Sequence, residues 1–315
     1  MWTGTLLPDD MTGILRRAIK FAFGPPSGPV TLLWDGGGEQ VEAPIYDIDL
    51  ASMRHQSRAS ADAIEKAAQW LIEAQHPVFL VGSQVGLEGA SAEMVALAEK
   101  LAVPVVETMH SLYANFPNDH PLFLGDFQAQ RLPRGNDLLI GIGESFTLGR
   151  QDSRGLATNR PRRVVQINHD PMSLGRSIAP DLAILSEVRT AIRDLSDALD
   201  GMLTKDRMAR IRASRLAEVS ALTGKLKQSR ELALRAHFDR SPLSWERVGY
   251  ELEKVLDKDA VIVPELGTQY SKIYNQLKLG GSNKQRIGRT KGDALGWGVA
   301  AAFGVNLGFP DRQVV

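Results

Sequence analysis

From residue 61 onward, segments with the apolar spacing of a helix alternate with short apolar runs of strand length. That alternation restricts the chain to a parallel sheet covered by helices, because successive parallel strands need a crossover of a dozen or more residues. Ile64, Ala67, Ala68, Leu71 and Ile72 fall in helical phase over 61–74. Residues 77–81 follow as an apolar strand, 90–101 as a helix and 103–106 as a strand. The pattern continues through strands at 137–142 (DLLIGI) and 163–167 (RVVQI), a short strand at 182–185 and a helix at 187–199. The predicted fold class is therefore α/β, with open parallel-sheet three-layer domains, and 61–200 reads as a complete central α/β domain.

The flanking segments carry weaker versions of the same pattern. Ile14, Leu15, Ala18, Ile19 and Ala22 lie on one face of a helix over 11–23, which Gly24, Pro25 and Pro26 stop, and 28–34 reads as a buried strand. Residues 35–60, with Gly36, Gly37 and Gly38 and no sustained period, look like a linker. Residues 204–237 are highly charged and predict a connecting helix or helix pair. Beyond Pro242, a helix at 243–256, a strand at 260–264 (AVIVP) and a loop and turn over 265–274 are expected. Gly296 and Gly298 then open a small-residue helix through Val299 and Phe303, Pro310 and Asp311 end it, and 313–315 reads as the opening of a core strand.

Charge and composition exclude several function classes. Lys plus Arg number 37 and Asp plus Glu 37, so no net field draws nucleic acid or an anionic membrane surface. The chain has no cysteine, which removes disulfides, thiolate chemistry and Cys-ligated zinc. Asp9 and Asp10 stand where a signal peptide would need an apolar core, and no apolar stretch approaches the ~18 residues of a membrane span. A soluble, cytoplasmic protein with small-molecule or sister-subunit partners is the expectation.

Several constellations invite chemistry. Gly82-Ser83-Gln84-Val85-Gly86 follows a strand and precedes a helix expected near Gly89, where glycines let backbone N–H groups meet a phosphate; a tight strand-to-helix turn needs glycine equally. His110, His120 and His169 with Asp119 and Asp170 have no metal-ligand spacing; Asp119 and His120 fall in one turn and His169 and Asp170 in another, where Asp170 would hold local backbone N–H groups. No Gly-x-Ser-x-Gly elbow is present. Glu265-Leu266-Gly267-Thr268-Gln269 lies just past the C-terminal end of the AVIVP strand, where open α/β sheets bind ligands.

The run KGDALGWGVAAAFGVNLGFPDRQVV and the ordered blocks HPVFLVGSQV, AEMVALAEKLAVPVVET, FPNDHPLFLGDF and NDLLIGIGESF resemble the thiamine-diphosphate-dependent enzymes, the family of acetolactate synthase, benzoylformate decarboxylase, pyruvate oxidase and oxalyl-CoA decarboxylase. The resemblance implies the end of a pyrimidine-binding domain at 1–45, a linker at 46–60, the family's central domain at 61–200, a helical linker at 201–240 and the N-terminal half of a diphosphate-binding domain at 241–315. It implies thiamine diphosphate and Mg²⁺ as cofactors. Gly267, Thr268 and Gln269 would contact the diphosphate, Gly292, Asp293 and Ala294 would face the aminopyrimidine, and Leu295 would sit under the cofactor and force its bent shape. No glutamate here matches the family's activating Glu, and the family's metal motif would lie beyond Val315, so no catalytic or metal residue is assigned. Asp126, Phe127, Gln128 and Ala129 stand where FAD-binding relatives carry a glycine-methionine-histidine stretch, which leaves FAD doubtful.

Three functions remain open on these residues: an internal piece of a 2-keto acid decarboxylase or carboligase, acting as a homodimer or homotetramer; a nucleotide-binding module built on the central domain; and a noncatalytic assembly subunit. The first fits nearly the whole chain and is the expectation, in acetolactate-synthase-like form with a benzoylformate-decarboxylase-like lyase as the alternative. The Leu295 position and the missing FAD signature lean mildly toward a decarboxylase. The chain alone is expected to have little turnover.

Overall fold

The computed structural model describes residues 2–7, 10–24, 26–34, 57–108, 111–127, 135–144, 160–176, 178–265, 267–280, 285–288 and 295–315. At the N-terminus, β1 (Trp2–Leu6) and β2 (Val30–Trp34) pair in parallel, Trp2 opposite Val30 and Leu6 opposite Trp34, with α1 (Met11–Phe23) as the crossover. Ile14 and Ala18, one helical turn apart, are the buried residues of α1, and Trp2 stacks on Phe21 with ring centroids 5.5 Å apart.

The central unit is a six-stranded sheet of β3 (Pro77–Val81), β4 (Val105–Glu107), β5 (Phe123–Asp126), β6 (Leu138–Ile142), β7 (Arg163–Asn168) and β8 (Leu182–Leu185), in the spatial order β5-β4-β3-β6-β7-β8. All its neighbouring strands are parallel. Phe79, Val81, Ile140 and Ile142 enter the larger core with Leu71 of α2 (Ala61–Glu73), Leu97 of α4 (Ser91–Lys100) and Leu195 of α5 (Val188–Met202). Val78, Leu80, Val106 and Leu139 form a second cluster with Phe127. Side chains alternate between the two faces of a strand, so β3 and β6 are apolar at every position because both faces are covered. A short additional helix α3 (Ser83–Leu87) follows β3 after Gly82, ahead of α4, which is the helix expected over 90–101.

A single 32-residue helix, α6 (Lys205–Ala236), links this unit to the next, and Thr204 caps it by accepting the N–H of Arg207. Arg215 anchors α6 to the central unit. Its guanidinium donates to the carbonyls of Leu71 (2.8 Å) and Ala74 (2.7 Å) at the end of α2, and to Leu101 (3.5 Å) at the end of α4. Burial lowers the Arg215 pKa to about 10, against the pull of Asp137, so the side chain stays charged at neutral pH and meets the partial negative charge of two helix C-termini.

The third unit contains α7 (Trp245–Val255), α8 (Tyr270–Tyr274) and α9 (Trp297–Gly308). In place of a full strand at 260–264, Val261 forms a parallel bridge to Val314 and Ile262 one to Arg286. The three segments are too short to count as ladders. Even so, Val261 N–H donates to Gln313 O, Val263 N–H to Val315 O and Ile287 N–H to Ile262 O, so 261–263 lies between the other two in strand fashion.

The central and third units interlock through residues 111–118. Asn118 Oδ1 accepts the N–H of Leu279 at 2.8 Å, its Nδ2 donates to Leu277 O at 2.8 Å, and Gly288 N–H donates to Leu112 O at 2.6 Å. Ala114 is buried among Ile262, Tyr270, Ile273 and Tyr274 of the third unit. Beneath this contact, Glu107 of β4 is fully buried, accepts from Tyr274 Oη (3.1 Å) and Asn115 Nδ2 (2.6 Å), and lies 3.7 Å from Arg286 Nη1. Burial pushes the Glu107 carboxyl above the usual carboxylate range, opposed by Arg286.

Candidate functional site

The segment 261–263 ends in Pro264 and Glu265, and Gly267–Gln269 then forms one 3₁₀ turn that runs into α8. Gly267 has φ of 51°, and no atom lies within 4 Å of where its Cβ would be. A left-handed turn residue followed by helical residues points successive backbone N–H groups into one concavity, and such a nest accepts an anion.

The start of α9 meets this loop through Glu265. One carboxylate oxygen accepts the N–H of Gly296 at 2.6 Å and the other accepts the N–H of Gly298 at 2.5 Å. The helix N-terminus thus already holds a carboxylate, which satisfies two of its otherwise unpaired donors. Gly298 must stay small, since a Cβ there would come within 2.9 Å of the Glu265 side chain. Gly296, at φ of 82°, turns the chain into the helix. Leu295 precedes it and is 90 % exposed, and Val299, Phe303 and Leu307 continue an uncovered apolar face along α9 at four-residue intervals.

Of the residues singled out from sequence, Gly267, Thr268 and Gln269 therefore share one turn, and Leu295 stands beside it across the Glu265 contact. Gly292, Asp293 and Ala294 lie outside the described residues, as do His110, Gln128 and Ala129. Glu265 joins the loop ahead of this turn to the start of α9, where the side chain of Leu295 is exposed. Glu265 was legible only as the acidic residue opening the loop. Its role as the clasp between two segments 31 residues apart needed the structure.

The Gly82 turn is closed by protein groups. A Cβ at Gly82 would collide with the Glu144 carboxylate and the Gly143 carbonyl, and Thr108 Oγ1 donates to that same carboxylate. Gln84 and Asn168 bond to each other across the strand ends at 2.7 Å. His120 pairs with Glu99 and His169 with Glu88, and no group of three or more metal-ligating side chains occurs among the described residues. Asp170 Oδ1 accepts the N–H of Met172 at 3.0 Å, a turn-holding contact. No described helix is long and apolar enough to cross a membrane.

Known proteins resemble this chain in sequence and in fold. The family model for the thiamine pyrophosphate enzyme, central domain, matches residues 64–195. Glyoxylate carboligase of Escherichia coli O157:H7 is 30% identical over 268 residues, covering 83% of this chain and 44% of that protein. A probable acetolactate synthase large subunit of Methanocaldococcus jannaschii is 27% identical over 332 residues, covering 98% of this chain and 53% of that protein. The crystal structure of benzoylformate decarboxylase from Polynucleobacter necessarius shares the fold, with a TM-score of 0.72 at 21% identity over 99% of this chain and 56% of that one. The chain spans about half the length of the curated relatives it matches. Residues 64–195 thus belong to the central domain of the thiamine-diphosphate-dependent enzyme family, and the chain is similar to members of that family over nearly its whole length.

Proposed function

We propose that this chain carries part of the cofactor site of a thiamine-diphosphate- and Mg²⁺-dependent enzyme that decarboxylates a 2-keto acid and joins the product to a second carbonyl compound. In this reading 61–200 is the central domain, 241–315 supplies part of the diphosphate-binding domain, and the working form is a homodimer or homotetramer. The observation that carries it is the Glu265 carboxylate, which joins the loop just before the Gly267 turn to the N–H of Gly296, the residue that follows Leu295. Two of the relatives, named as a carboligase and a synthase, favour bond formation after decarboxylation over simple cleavage.

The residues present fit the organic cofactor. Thiamine diphosphate, when bound, supplies a carbon nucleophile and a sink for the electron pair left by departing CO₂. Backbone N–H groups of Gly267, Thr268 and Gln269 would hold the diphosphate, with the missing side chain at Gly267 permitting close approach. Glu265 keeps the α9 donors engaged, which directs a phosphate to the turn and away from the helix start. Leu295 would orient the ring system and exclude water from one side of it. Both Glu265 oxygens accept N–H groups of the α9 start, and no metal ligand is assigned in this chain. Calorimetric titration with thiamine diphosphate and Mg²⁺ tests the reading. Binding that Gly267→Val weakens at least about tenfold is expected; equal binding by both chains, or none by either, overturns it.

A further inference from the structure

A cavity of about 550 Å³ lies where all three parts of the chain meet: the β4–β5 edge of the central sheet, the second half of α6, and the α7–α8 pair. That volume suits a small organic ligand. None of its described lining residues belongs to the Gly267 turn or the start of α9.

Its chemistry is divided. Val106 and Leu124 of the sheet and Leu222 and Leu226 of α6 give it an apolar wall. On α6, Leu222, Lys225, Leu226, Ser229, Arg230 and Ala233 line it at intervals that fall on one helical face, a stripe within an otherwise charged helix. Lys225, Arg230 and Lys272 bring positive charge against Asp126 and Glu246. Glu246 stands 3.9 Å from Lys272, and Lys225 has no ion-pair partner among the described residues. Gly125, at φ of 94°, makes room for Arg230, whose Nη2 lies 3.1 Å from where a Cβ would be. The hydrogen-bonding capacity is unspent: Ser229, Ser271, Asn275 and Gln276 line the cavity, and their side chains make no hydrogen bond among the described residues. Ser271, Asn275 and Gln276 are half-buried and Ser229 is exposed, so these groups can exchange water for a polar occupant.

We propose that this cavity binds a small organic anion, a carboxylate or phosphate monoester carried on an apolar body. The body packs on Leu124, Leu222 and Leu226. The anionic group meets Lys225 and Lys272, and Ser271 of α8 with Asn275 and Gln276 just beyond it supply the neutral contacts. Because the walls come from the sheet, α6 and α8, an occupant ties the linking helix to both units at once.

Ligand-observed NMR titration of the chain with benzoate, phenyl phosphate and uncharged benzyl alcohol tests this and separates the two anion types. At least one anion is expected to bind with a Kd on the order of millimolar, about tenfold tighter than benzyl alcohol. Lys225→Glu, at an exposed position, weakens that anion by about tenfold, and Leu226→Trp, which fills the cavity, abolishes binding. Excess thiamine diphosphate leaves the probe bound, so the outcome is independent of the cofactor reading. Equal affinity for benzyl alcohol, no binding of either anion at about 10 mM, displacement by thiamine diphosphate, or unchanged binding by both variants would each overturn the proposal.

Discussion

The carboxylate of Glu265 accepts the backbone N–H of Gly296 at 2.6 Å, closing a loop that begins at the end of the 261–263 segment and returns at the start of α9. Its other oxygen holds Gly298. Glu265→Gln keeps one acceptor and loses the charge that favours a helix N-terminus, whereas Glu265→Ala loses both. The expected costs are about 1 kcal/mol and about 2 kcal/mol of stability. Urea denaturation measures them, and hydrogen exchange at the first-turn amides of α9 should accelerate in the same order.

Arg215 offers a sharper test of how the linking helix is held. Arg215→Met preserves the aliphatic stem but leaves the Leu71 and Ala74 carbonyls without their donor. A loss of about 3 kcal/mol is expected. Arg215→Lys should recover part of it, since an ammonium can reach one carbonyl but lacks the fork that spans two helix ends.

The pH dependence of stability has an identifiable contributor in Glu93 of α4. Burial alone would raise its pKa, but the guanidinium groups of Arg189 and Arg193, each 2.7 Å from Oε1, outweigh burial and hold it below the usual range. The folded chain then binds this proton less readily than the unfolded one. The contribution is present above the ordinary carboxylate pKa of about 4.3 and is lost as pH falls through the lowered folded value. Glu93→Gln should reduce stability at pH 7 by under about 1 kcal/mol and shrink the gap between the two proteins on acidification. Urea midpoints measured across the acid range check this.

The elements of the central sheet were legible because burial on both faces makes β3 and β6 continuous apolar runs and gives β7 Val164, Val165 and Ile167, and helical phase separates them from α2 and α5. β1 was not: Thr3, Gly4 and Thr5 carry no apolar signal, and the strand exists through its pairing with β2. β5 is four residues long and follows a turn-rich stretch, so its sequence reads as loop until β4 supplies a partner. The opposite error occurred at 260–264, whose apolar composition predicts a strand that the structure realises as isolated bridges. For the candidate site, glycine placement pointed to the 267–269 turn. Neither the Glu265 clasp nor the Glu107–Arg286 contact has a local signature, because each joins residues that only the fold brings together. The cavity beside α6 is invisible for the same reason, its stripe being diluted by the charges around it.

Asn118 and its neighbours belong by sequence to the central domain and by contact to the third unit. The piece of this protein that can be exchanged intact between relatives is therefore not the stretch between two linkers. A chimera that replaces 61–200 transplants half of a joint, and its new residues 107, 112 and 118 must be matched to Tyr274, Leu277, Leu279, Arg286 and Gly288 of the recipient. The two units are joined by side-chain and backbone contacts at that seam, however long the helix that connects them.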